Sequence, residues 1–134
     1  MNTKFKILWY EDELSWYDSI VLDVDNIIQD HQLEPQINRR LGDDLSVTDL
    51  TVNEFDLIIM DYRLISGQTG DRIIQKIRDA HILTDVLFYS SQYDTMIEAI
   101  KGVSPPIDGI YTSDRKNFVC IQSPCDIPIN AIQI

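Results

Sequence analysis

Seven consecutive residues, Phe55-Asp56-Leu57-Ile58-Ile59-Met60-Asp61, constrain the fold of this chain more than any other stretch. Leu57 to Met60 is an unbroken apolar run, too short for a helix core and rich in the isoleucine that suits strands. A run of this kind is a strand buried on both faces, and such strands occur where helices cover both sides of a parallel sheet. It stops abruptly at Asp61. An acid there lies at the carboxyl end of a central strand, which is where open α/β sheets place their ligands. Phe5 to Tyr10 repeats the pattern and ends in Glu11-Asp12-Glu13. Two buried strands that each end in acid bring three or four carboxylates to one sheet edge. Like charges packed that closely repel, so the arrangement gains from a cation among them.

The remaining elements alternate. Lys4 to Tyr10 reads as the first strand. Ser15 is a candidate N-cap for a helix whose apolar face is Trp16, Tyr17, Ile20, Val21, Val24, Ile27 and Ile28, ending near His31. Glu34 to Arg39 reads as an edge strand that carries Pro35 at its start. Gly42-Asp43-Asp44 predicts a turn and cap before a short helix through Leu50. Phe55 to Asp61 is the third strand, and Gly67 and Gly70 supply turn geometry in the loop that follows. Gly70 opens a helix with Ile73, Ile74 and Ile77 inward. Val86 to Ser90 is the fourth strand, Asp94 or Thr95 starts a short helix, and Gly102 with Pro105-Pro106 closes it. Gly109 to Thr112 is the fifth strand. Strand and helix in alternation predict a doubly wound parallel α/β sheet with right-handed crossovers.

The tail departs from this rhythm. Residues 117–134 contain Pro124 and Pro128, and an interior proline costs a helix about 3 kcal/mol or more. The last helix is therefore expected to be short or irregular, or the tail to lie extended over the sheet. Cys120 and Cys125 could pair, but a cytosolic chain keeps them reduced, and a zinc site would need two further ligands.

Composition narrows the function classes. The 134 residues suffice for one domain, taken as 1–134. Eleven basic residues against 22 acidic ones give a net charge of −11, which argues against direct nucleic-acid binding and against an anionic membrane surface. No stretch approaches the ~20 apolar residues of a membrane span, and the N-terminus lacks a signal-peptide core, so a cytoplasmic location is expected.

At about residues 5–116 the chain resembles the receiver domain of two-component response regulators. The resemblance rests on Lys6-Ile7-Leu8-Trp9-Tyr10-Glu11-Asp12-Glu13, on Phe55 to Leu64, on Gly70, and on Leu87-Phe88-Tyr89-Ser90-Ser91, in this order and spacing. It implies a flavodoxin-like, five-stranded sheet of order 2-1-3-4-5. It implies Asp61 as phosphoacceptor and Ser90 as hydrogen-bond donor to the phosphoryl group. It implies Mg2+ (or Mn2+) held by Glu11, Asp12, Asp61 and the backbone carbonyl of Arg63. The implied partners are a histidine kinase or phosphotransfer protein, an output domain or partner protein and, in a homodimer, a second copy of the chain.

The chain also departs from that pattern. The usual lysine at the end of the fifth strand is replaced by Ser113, or by Asp114 if the register moves by one, and Arg115 and Lys116 follow. The switch aromatic falls on Ile110, or on Tyr111 in the shifted register. Ile65 stands where proline is usual, and the loop to Gly70 is one residue longer. Two alternatives follow: a phosphorylation-independent pseudo-receiver that acts as an interaction domain, or a magnesium-dependent phosphohydrolase using Asp61. The second lacks the acid two residues on, where Arg63 stands.

Overall fold

The computed structural model describes residues 3–42, 55–101 and 110–114, with backbone placement only for Ser113 and Asp114. The short helix expected through Leu50, the Gly102 to Pro106 helix end, Arg115, Lys116 and the tail with Cys120 and Cys125 lie outside the described residues.

Five strands, β1 (Thr3–Tyr10), β2 (Leu33–Arg40), β3 (Leu57–Asp61), β4 (Val86–Ser90) and β5 (Ile110–Asp114), form one sheet in the order β2-β1-β3-β4-β5. Every pairing is parallel. The expected topology holds, and β1 and β3 lie side by side at the point where strand order reverses. All five residues of β3 and all five of β4 are buried. β2 alternates between exposed and half-buried residues, as expected of an edge that carries Pro35.

Strand alternation sorts the core into two layers. Phe5, Ile7, Trp9, Leu57, Ile59, Leu87 and Tyr89 face α1 (Leu14–Asp30), which buries Ile20, Val24 and Ile28 at helical spacing. Leu8, Tyr10, Ile58, Met60, Val86 and Phe88 face α2 (Gly70–Asp79) and α3 (Tyr93–Ile100), which contribute Ile73, Ile74, Ile77, Met96 and Ile100.

The boundaries differ from the sequence expectation at three places. Ser15 is not the cap of α1; the helix begins at Leu14 with Glu13 in the extended cap position (φ −92°, ψ 94°). The reason is that Glu11 Oε2 accepts the Glu13 N–H at 2.8 Å, which closes the β1–α1 loop two residues early. α3 begins at Tyr93, where Ser90 Oγ accepts the Gln92 N–H at 2.8 Å and turns the chain at once. β5 runs on to Asp114 because its pairing with β4 continues through Tyr89–Ser113 and Ser90–Asp114.

Candidate metal and phosphoacceptor site

The carboxyl ends of β1, β3 and β4 surround a cleft of about 450 Å3 lined by Asp12, Glu13, Asp61, Arg63, Leu64, Ser90, Ser91 and Gln92. Glu11, Asp12 and Asp61 each place one carboxylate oxygen within 4.8 Å of the others. Two oxygens on opposite sides of an octahedral Mg2+ lie about 4.2 Å apart, twice the metal–oxygen distance. The three acids therefore need only small side-chain rotations to share one hard divalent cation. Oxygen donors alone, with open cleft for water, are the donor set such ions take. Glu11 is fully buried and Asp61 is 7% exposed.

The loop after Asp61 is closed by backbone hydrogen bonds. Gly70 N–H donates to the Tyr62 carbonyl at 2.7 Å and Leu64 N–H to the Gln68 carbonyl at 2.9 Å. These two bonds make an antiparallel bridge between Arg63 and Thr69. Neither bond uses the Arg63 carbonyl, so the bridge leaves it outside the ladder. The loop contains a 3-10 turn, Ile65–Gly67, in which Ser66 (φ 61°) and Gly67 (φ 75°) take left-handed backbone. Gly70 packs directly against the end of β3: a Cβ there would collide with the Asp61 carbonyl.

Ser90 is 2% exposed and stands at the end of β4 beside the cleft. Its oxygen accepts from Gln92 N–H, which uses one of its lone pairs and leaves its proton to donate. Closing the turn into α3 and donating a proton are compatible in this one geometry.

Sheet register orders the ends of β3, β4 and β5. Asp61 pairs with Tyr89, and Tyr89 pairs with Ser113, so these three residues form one row across β3, β4 and β5. Asp114 falls instead in the row of Ser90, and Ile110 in the row of Val86. Ser113 is the position level with Asp61.

From sequence Tyr89 reads equally as a switch element beside the strand-four loop or as plain packing; in the structure it is buried against Glu11. Tyr89 is fully buried, and its hydroxyl lies 2.6 Å from Glu11 Oε1 and 3.0 Å from Trp9 Nε1. Trp16 stacks on its ring at 4.9 Å, and Tyr17 meets Trp9 edge-on at 5.0 Å. Trp16 and Tyr17, both partly buried, thus belong to the packing around β1 and β4, as expected of the apolar face of the helix. Burial pushes the Tyr89 phenol well above the ordinary tyrosine range, and the charges of Glu11 and Asp61 push it further. The signal was present in the alternation of β4: a tyrosine at a fully buried strand position needs a partner for its hydroxyl.

No family model matches the chain, and no curated protein matches it. Solved structures do. The receiver domain of the Francisella response regulator 1452 superposes with a TM-score of 0.58 at 16% identity, covering 96% of each chain. A LuxR-family DNA-binding response regulator from Staphylococcus aureus gives 0.61 at 16% identity, over 96% of this chain and 98% of the other. The chemotaxis protein CheY4 of Vibrio cholerae gives 0.57 at 17% identity, over 91% and 98%. The fold is that of response-regulator receiver domains. At these identities the likeness shows the fold, so each site residue stands on the geometry above. Among the described residues, no helix is long and apolar enough to cross a membrane.

Proposed function

We propose that this domain is a phosphoacceptor receiver of two-component signalling, phosphorylated on Asp61. The observation that carries the reading is the convergence of Glu11, Asp12 and Asp61 within 4.8 Å at the reversal point of the sheet. Mg2+ (or Mn2+) held by these acids and the Arg63 carbonyl would neutralise charge on the transferring phosphoryl oxygens. An Asp61 oxygen bonds to phosphorus as the bond to the donor breaks and the donor, a phosphohistidine of a kinase or phosphotransfer protein, takes back the electron pair. Ser90 donates its hydroxyl proton to a phosphoryl oxygen. The domain acts as a cytoplasmic signalling module, passing its state to an output domain or partner protein, with no direct nucleic-acid or membrane contact of its own.

The register favours a second reading for the output. With serine level with Asp61, the charged partner that a lysine offers a phosphoryl group is missing from that row. A pseudo-receiver that binds its partner without phosphorylation has that one feature in its support.

Incubation with acetyl phosphate and Mg2+ followed by intact mass measurement separates the two. The phosphoacceptor reading expects the mass of one added phosphoryl group in the wild type and none in Asp61→Asn. An unmodified wild type under conditions that label an ordinary receiver contradicts it.

A further inference from the structure

Tyr89 is fully buried next to the site and does not line the cleft. Tyr89 Oη lies between two partners of fixed character. Trp9 Nε1 carries a hydrogen and can only donate, so at 3.0 Å the phenol oxygen is its acceptor. The phenol proton is thereby directed to Glu11 Oε1, 2.6 Å away. The chain of donation runs one way, from Trp9 through Tyr89 to Glu11, and each bond polarises the next. On its other oxygen Glu11 accepts the Glu13 N–H at 2.8 Å. Glutamate has one more rotatable bond than aspartate, and a longer acid at a metal site gains most from being held. Tyr89 itself is held, buried on the face of α1 with Trp16 stacked on its ring.

We propose that Tyr89 is a positioning residue of the metal site: its hydroxyl fixes the Glu11 carboxylate in the rotamer that faces Asp12 and Asp61. The proposal rests on the phosphoacceptor reading above and assigns a residue that reading does not use. A carboxylate oxygen has more than one lone-pair site, so a hydrogen bond from Tyr89 does not by itself preclude metal ligation. Partners that orient a ligand in this manner typically change metal affinity by 10–100-fold when removed.

Tyr89→Phe deletes the hydroxyl and keeps the ring under Trp16. Mn2+ affinity is expected to fall about tenfold, at the low end of that range, and the Mg2+ concentration for half-maximal phosphorylation by acetyl phosphate to rise by a similar factor. The rate at saturating Mg2+ should stay within about threefold of the wild type, because the acceptor Asp61 is untouched. A role in packing alone would lower stability without moving the Mg2+ requirement, and that result overturns the proposal. The second measurement needs no folded variant at Tyr89. Mg2+ titrated into the wild type should shift the indole N–H resonance of Trp9, since charge withdrawn from Glu11 is felt through the phenol. The same titration in Asp12→Asn, followed by the same resonance, should need far more metal. A Trp9 indole signal that stays still while the wild type saturates with Mg2+ overturns the proposal and leaves the metal site standing. A wild type that binds neither Mg2+ nor Mn2+ overturns the metal site and the proposal with it.

Discussion

Arg63 Nε donates to Gln92 Oε1 at 2.8 Å, tying the loop after β3 to the turn that opens α3 across the mouth of the cleft. The guanidinium also sits 5.4 Å from the centre of the Tyr62 ring. Among the described residues lining the cleft, Arg63 is the one that carries positive charge. On the phosphoacceptor reading, its remaining donors are candidates to hydrogen-bond a phosphoryl group on Asp61.

Arg63→Ala is therefore expected to slow phosphorylation by acetyl phosphate about tenfold, the low end for a hydrogen bond to a charged group because the side chain is exposed. Gln92→Ala only frees the guanidinium and should change the rate by less than about threefold. Time courses of intact mass give both numbers. Equal rates for wild type and Arg63→Ala would show that the metal alone balances the phosphoryl charge.

Gly70 is required by contact rather than by backbone angle. An added Cβ would meet Met60 Cγ and Phe88 Cε1 at 2.6 Å each, besides the Asp61 carbonyl. The side chains can yield, but the carbonyl belongs to the end of β3 and cannot move without moving Asp61. Gly70→Ala is expected to cost about 2 kcal/mol, in the range for overpacking, read as a lower urea midpoint. Phosphorylation should slow in parallel. An unchanged midpoint would mean that the α2 start is looser than its packing indicates.

Sheet order and core layers were legible because they depend on period-two alternation and buried runs, which survive in any sequence that folds this way. Leu57 to Met60 could only be a central strand, and its terminal acid marked the site. What escaped was set by contacts between distant residues. The start of α1 was misplaced because the group closing its first turn is the Glu11 carboxylate, not the local serine. Tyr89 and Glu11 are 78 positions apart, so no local pattern joins them. The level of Ser113 against Asp61 needed a register that runs through β4.

Charge clustering makes a prediction of opposite sign with and without metal. Two like charges about 4 Å apart repel by about 1 kcal/mol even at the dielectric constant of water. Replacing Asp12 by asparagine removes one of three such charges within 4.8 Å. In metal-free buffer Asp12→Asn should be more stable than the wild type, by about 2 kcal/mol for the two repulsions it removes. In millimolar Mg2+ the wild type gains stability by binding and the variant gains less, so the gap closes or reverses. Thermal melts of both proteins with chelator and with Mg2+ measure the four values. Asp12→Asn less stable than wild type in chelator would indicate that Asp12 serves the fold rather than a cation.

The row Asp61–Tyr89–Ser113 predicts how far phosphorylation is felt. A phosphoryl group shifts a two-state equilibrium only by the difference in its interactions with the two states. A lysine level with Asp61 would offer a charge-assisted hydrogen bond, about twice as strong as the neutral one a hydroxyl can make. With serine at that level, phosphorylation has less with which to draw β5 and the β4–α3 turn toward the site. Beryllofluoride, which mimics the phosphoryl group on aspartate, should then shift amide resonances near Asp61 and Arg63 but few in α3 or β5 of the wild type. In Ser113→Lys the shifts should spread through residues 90–101 and 110–114. Shifts that already span both segments in the wild type, and that Ser113→Lys does not extend, would show that the switch operates without a cation in that row.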